Sequence, residues 1–179
     1  MRLLFIKKEH QPSVFKCIRS DGTETWMKIT QSFTIEHDLV HYAVETTLNF
    51  QQAFYGLLMA GYNITDFEAP RHLRLPALLP SNLPLEAQQA EILVNLFQTD
   101  LHNEGDIEDF ISVARFTFQT QAVPFPSITN REVAQIRANI RILLRKWHEL
   151  TAGETLELVF PAADSASFSH VTSQLRSSP

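Results

Sequence analysis

One cysteine, Cys17, stands in this chain, so no disulfide can close within it and paired-thiol chemistry is excluded. A lone cysteine suits a reducing compartment, and Cys17 lies in a strand-like stretch, VFKCI, where a thiol packs rather than attacks. Glycine is scarce as well, with 5 in 179 residues. That leaves little room for a glycine loop cradling a phosphate or a nucleophile held on a strained turn, and neither pattern is present. Basic residues are outnumbered, 15 Lys+Arg against 20 Asp+Glu, for a net charge of −5. Binders of nucleic acid or of anionic membranes need the opposite balance, so neither partner is expected. Long apolar runs are missing too. Residues 3 to 6 are cut off by Lys7 and Lys8, and the most apolar stretch, residues 53 to 62, has the length of a core helix. The expectation is a soluble, cytoplasmic protein.

With 44% hydrophobic residues, the chain has enough apolar material for one buried core. The reading is a single α+β domain over residues 1–161, followed by a serine-rich, flexible tail at 162–179. Residues 2 to 8 and 13 to 19 are rich in strand formers. Asp21-Gly22 then favours a tight hairpin, and residues 24 to 30 alternate Thr25, Met27, Ile29 against Trp26, Lys28, Thr30. Residues 154 to 160 alternate likewise and return as a fourth strand. Between these lie helical patterns at about 34 to 50, with Thr34 as N-cap, and at 51 to 60, 84 to 102 and 106 to 119. A last one opens on the capping box Thr129-Asn-Arg-Glu132. In the third, Leu85, Leu93, Leu96, Phe97 and Leu101 should face inward. Strands and helices are segregated rather than alternating. This predicts an α+β fold, an antiparallel sheet of about four strands, three N-terminal and one C-terminal, packed against about five helices.

One stretch carries chemistry. In Glu36-His37-Asp38-Leu39-Val40-His41-Tyr42-Ala43-Val44-Glu45, the residues His37, His41 and Glu45 recur every four positions and so stack along one helix side, each about 40° further round. His37 and His41 fall on the border between the apolar and the polar face, where a ligand group can be both held and reached. The letters read H-D-x-x-H, similar to the zincin motif H-E-x-x-H with aspartate for glutamate. A match to H-[DE]-x-x-H arises by chance roughly 0.03 times in a chain of this composition. His37 and His41 are thus expected metal ligands, Glu45 a third ligand or a carboxylate supporting them, and Asp38 the catalytic group acting on bound water. The metal is a divalent cation, zinc by donor type. His72, in the proline-bearing connection 63 to 83, is a second candidate for the third ligand.

The segment HDLVHYAVE followed by AFYGLLMAGY resembles an uncharacterised family of small bacterial proteins. The likeness spans residues 35 to 62, and it implies no activity. Similarity to the zincins is confined to His37, Asp38 and His41. No downstream glutamate helix, glycine-turned histidine or methionine turn is legible.

Two further patterns point to bland roles. Asp100 to Glu108 superficially resembles a calcium loop, but His102 and Ile111 occupy ligand positions, leaving an acidic interhelix loop. Arg137, Arg141 and Arg145 stripe one helix face, as expected of a solvated face paired with carboxylates. Two function classes emerge. One is a metal-dependent hydrolase acting on a small molecule or peptide. The other is an interaction or assembly protein, a homo-oligomer for instance, in which the His/Asp/Glu cluster is a buried polar seam and the apolar 51 to 61 helix meets a partner or a second copy.

Overall fold

The structure, a computed structural model, describes residues 1–103 and 107–162. Alternation in the first thirty residues yields β1 (Arg2–Ile6), β2 (Ser13–Ile18) and β3 (Glu24–Ile29), and the chain returns as β4 (Thr155–Val159). All pairings are antiparallel, in the order β3-β2-β1-β4. Register puts Leu3 opposite Cys17 and Leu158, and Phe5 opposite Phe15 and Leu156, so one face of the sheet carries the apolar set. Phe5 and Phe15 stack at 4.6 Å on that face. The β2–β3 turn is the one its sequence favours: Gly22 takes φ 84°, and Asp21 accepts hydrogen bonds from the Thr23 amide and hydroxyl.

The helices among the described residues are α1 (Ser32–Leu48), α2 (Phe54–Met59), α3 (Ile64–Glu68), α4 (Leu85–His102), α5 (Phe110–Thr120) and α6 (Asn130–Glu149), with α1 and α3 against β3. This is the predicted α+β arrangement with one helix more than expected. The addition is α3, a short turn of helix closed by a capping box between Asn63 and Asp66 inside the proline-rich connection. A 3-10 turn at Pro76–Leu78 comes after it. No helix among the described residues is long and apolar enough to cross a membrane.

Helix α1 packs between α4 and α6. Its start lies earlier than Thr34: Gln31 occupies the cap position without a side-chain bond, and Thr34 donates its amide to the Gln31 carbonyl from inside the first turn. Asn49, at φ 54°, ends α1 in the left-handed region, so α1 and α2 are separate helices rather than one kinked rod. Residues 51 to 53 stay outside α2 because Glu86 Oε2 accepts from the amides of Gln51 (2.7 Å) and Gln52 (2.6 Å). The apolar residues of α2 are used within this chain: Tyr55, Leu57 and Leu58 are buried, with Gly56 between them. Leu85 is a correction to the expected core, since it begins α4 and remains 46% exposed. Leu93 and Phe97 of the same helix are buried.

The calcium-like loop and the arginine stripe meet in one ion pair. Arg137 Nε and Nη2 hold Asp100 Oδ2 and Oδ1 at 2.7 and 2.9 Å, joining α4 to α6. Asp100 also accepts from the Ile107 amide, so its oxygens serve the protein. Residues 104 to 106 of that loop, and the expected tail beyond Ala162, lie outside the described residues.

Two expected results arise here. A Cβ at Gly56 would sit 2.0 Å from the Gln51 carbonyl oxygen, a backbone atom in a turn held by Glu86. Gly56→Ala should therefore cost about 3 kcal/mol, at the upper end for overpacking, seen as a lower urea midpoint at unchanged slope. Cys17 is fully buried, and burial first, then the charge of Asp38, pushes its thiol up to about 12. At pH 8 the thiolate fraction is on the order of 10⁻⁴, so Ellman's reagent should leave the native protein untouched and titrate one thiol in denaturant.

Candidate metal centre and cavity

The apolar residues Ile35, Leu39, Val40, Ala43 and Val44 are buried and fix the rotation of α1. That rotation leaves His37 half-buried and His41 buried at 2% exposure, both on the side of α1 facing α4. Their rings meet edge to face, with centroids 4.7 Å apart. Phe54 closes over His41 at 5.5 Å.

Each imidazole is oriented through its Nδ1. His37 Nδ1 lies 3.0 Å from Gln98 Oε1 on α4, and an amide oxygen can only accept, so Nδ1 carries the hydrogen and Nε2 keeps its lone pair. Burial, then the neighbouring His41 charge, lowers the His37 pKa, which favours the neutral form that binds metals. His41 Nδ1 lies 3.0 Å from Glu45 Oε1. Burial opposes a charge on His41. The Glu45 bond and the charges of Glu91, Glu45 and Asp38 outweigh it, so the His41 pKa is raised.

The third corner is Glu91 of α4. His37, His41 and Glu91 each offer one ligand atom, and these atoms lie within 4.8 Å of one another. His41 Nε2 is already 3.5 Å from Glu91 Oε1. Tetrahedral zinc with ligand bonds of about 2.0–2.1 Å spaces its donors roughly 3.4 Å apart, so the cluster needs only small side-chain movement to accept an ion. The donor set, two imidazoles and a carboxylate, is one that catalytic zinc sites use while leaving a position for water.

Of the residues expected to join these histidines, Glu45 stands behind His41 rather than among the three converging donors. It is fully buried, and its second oxygen accepts from the Tyr55 amide at 2.9 Å. Of the two roles the spacing offered it, this geometry is compatible with the supporting one, a carboxylate that holds the neighbouring imidazole in one orientation. His72 is exposed on the connection and does not join the cluster, which leaves it out of the third-ligand position. No protein-family model, curated protein or solved structure matches the chain.

Asp38 follows His37 on α1. It is 7% exposed, and among the described residues its carboxylate has no hydrogen-bond partner; its backbone carbonyl accepts from the Tyr55 hydroxyl at 2.8 Å. Burial drives the Asp38 carboxyl up to about 7, the charge of His41 opposing and those of Glu68, Glu45 and Glu91 adding. Asp38, His37, His41 and Glu91 all line one cavity of about 540 Å³. Its other walls are largely apolar, from Met27, Phe54, Leu57, Phe67, Leu78 and Leu83. Helix α3 and the 63 to 83 connection thus help to close the site, in keeping with the tendency of long connections to serve as lids or binding segments. Three groups that could hold a metal ion and a buried carboxyl therefore share one partly apolar chamber.

Glu91 is the residue that sequence reasoning missed. The signal was a polar row along one side of α4, Gln88, Glu91, Asn95 and Gln98, spaced three and four apart. Three of them line the cavity and the fourth holds His37.

Proposed function

We propose that this protein is a metal-dependent hydrolase, with zinc held by His37, His41 and Glu91 and with Asp38 as the general base. The observation that carries the reading is the convergence of those three donors on the wall of a cavity large enough for a small-molecule substrate. Bound zinc supplies a Lewis acid and eases deprotonation of water. Asp38 takes the proton as water adds to the acyl carbon, then returns it to the leaving nitrogen or oxygen as that bond breaks. Glu45 keeps His41 aimed, and the apolar walls limit competing water.

Elemental analysis of purified protein tests the reading. The expected result is one zinc per chain, removed by chelation and regained on adding zinc at micromolar concentration. Glu91→Ala is the cleanest variant, because the Glu91 side chain is 51% exposed whereas truncating His41 would leave Glu45 buried without its partner. Loss of zinc by at least tenfold in Glu91→Ala and His37→Ala, with unchanged circular dichroism, supports the site. A wild type that binds no divalent metal at micromolar concentration overturns it.

A further inference from the structure

We propose that Arg74 is a carboxylate anchor in this cavity, and that the substrate is an apolar chain bearing a carboxylate. The proposal rests on the hydrolase reading for the reaction of the bound molecule, but its binding is carried by a different observation. Arg74 lines the same cavity as His37, His41 and Glu91. Arg74 is half-buried as a residue, and among the described residues no carboxylate lies within ion-pairing distance. Two of its five N–H groups are used: Nε donates to the Ala69 carbonyl at 3.2 Å and Nη2 to the Phe67 carbonyl at 2.8 Å. Those bonds fix the plane of the fork on the turn after α3, and three donors remain without a protein acceptor.

A half-buried arginine without a counter-ion beside apolar walls is an arrangement that an incoming anion completes. Elsewhere in this chain, where an arginine of similar burial meets α4, Asp100 takes both arms of Arg137. Arg74 has the fork without the carboxylate. The planar guanidinium matches a carboxylate through two parallel hydrogen bonds. A phosphate would ordinarily draw further cations or a run of free amides, and the remaining cavity charges, Asp38, Glu68 and Glu91, oppose a multiply charged anion. Phe54, Leu57, Phe67, Leu78 and Leu83 supply walls for a hydrocarbon body. The cavity of about 540 Å³ has more than enough room for a chain of around eight carbons.

The test is run in chelator, so that a carboxylate cannot simply bind zinc and the metal reading is judged separately by zinc content. Octanoate, octanamide and octylamine are titrated by calorimetry at low salt. Octanoate should bind at least about tenfold more tightly than octanamide, and each methylene removed from it should weaken binding about threefold to fourfold. Arg74→Gln should erase the advantage over octanamide at an unchanged melting temperature, while Arg71→Gln, exposed on the same turn and outside the cavity lining, keeps it. Should Arg74→Gln fail to fold, Arg74→Lys decides, since it retains the charge without the fork. There octanoate should stay ahead by a smaller margin. Equal binding of octanoate and octanamide, tighter binding of octylamine, no octanoate binding, or an advantage that persists in Arg74→Gln or vanishes in Arg71→Gln overturns the anchor.

Discussion

Replacing Glu45 by alanine is expected to cost about 3–5 kcal/mol of folding stability, the range for removing one partner of a buried charged pair. The side chain is fully buried, and both oxygens are engaged, one by His41 Nδ1 at 3.0 Å and the other by the Tyr55 amide at 2.9 Å. Alanine leaves His41 without its support and the first turn of α2 with an orphaned donor. Urea unfolding followed by circular dichroism measures the loss, and a change under about 1 kcal/mol would show that the pair does not hold α1 to α2. Glu45→Gln separates support of the fold from support of the metal. It keeps the volume, but it turns an amide nitrogen toward either His41 or Tyr55, so it should retain more stability. Zinc affinity should still fall by about 10–100-fold, as when a ligand histidine loses its partner.

The sheet was legible because its signals are local. Alternation in β1, β2 and β3, the Asp21-Gly22 turn and the return of β4 need only a few adjacent residues each, and the observed strands match them to within the end residues. Helix α6 was legible for the same reason, since Thr129 and Glu132 cap each other within one turn. One misplaced helix end traces to a contact far along the chain. Helix α2 begins at Phe54 because Glu86 takes the Gln51 and Gln52 amides, and no pattern near residue 51 announces a carboxylate from α4. Helix α5 begins at Phe110 because Asp109 accepts from the Ser112 amide, a cap visible in principle but outranked by the earlier acidic run.

The site divides along the same line. Residues on α1 could be placed together, because four-residue spacing stacks His37, His41 and Glu45 whatever the tertiary fold. Which of them would meet a metal depended on the helix laid alongside. Helix α4 brings Glu91 to the open nitrogen of His41 and Gln98 to His37, and Glu45 lies on the far side of His41 from Glu91. Pairing of α1 with α4 is a tertiary fact with no local signature. The polar row on α4 is its only trace in the sequence, and without a partner that row reads as a solvated stripe.

Asp38→Asn should separate chemistry from stability in opposite directions. If Asp38 is the proton carrier, the amide removes general-base catalysis and lowers kcat about 10²–10⁴-fold, while zinc content stays at one per chain. Stability moves the other way. The Asp38 carboxyl is raised to about 7 against 3.8 for an ordinary aspartate, chiefly by burial, so between those values the folded state holds a proton that the unfolded chain has released. Folding stability from this group is therefore highest below pH 4, falls as pH rises to about 7 and stays reduced above. The interval corresponds, at 1.36 kcal/mol per unit, to about 4 kcal/mol. Asparagine carries no charge to desolvate, and the native carboxylate has no hydrogen bond among the described residues for it to lose. In chelated protein the two forms should accordingly have similar urea midpoints near pH 4, and Asp38→Asn should become the more stable by several kcal/mol near pH 8. Equal stability of the two forms at both pH values would mean that Asp38 ionises freely in the folded state, and an unchanged kcat would remove it from the proton-transfer step.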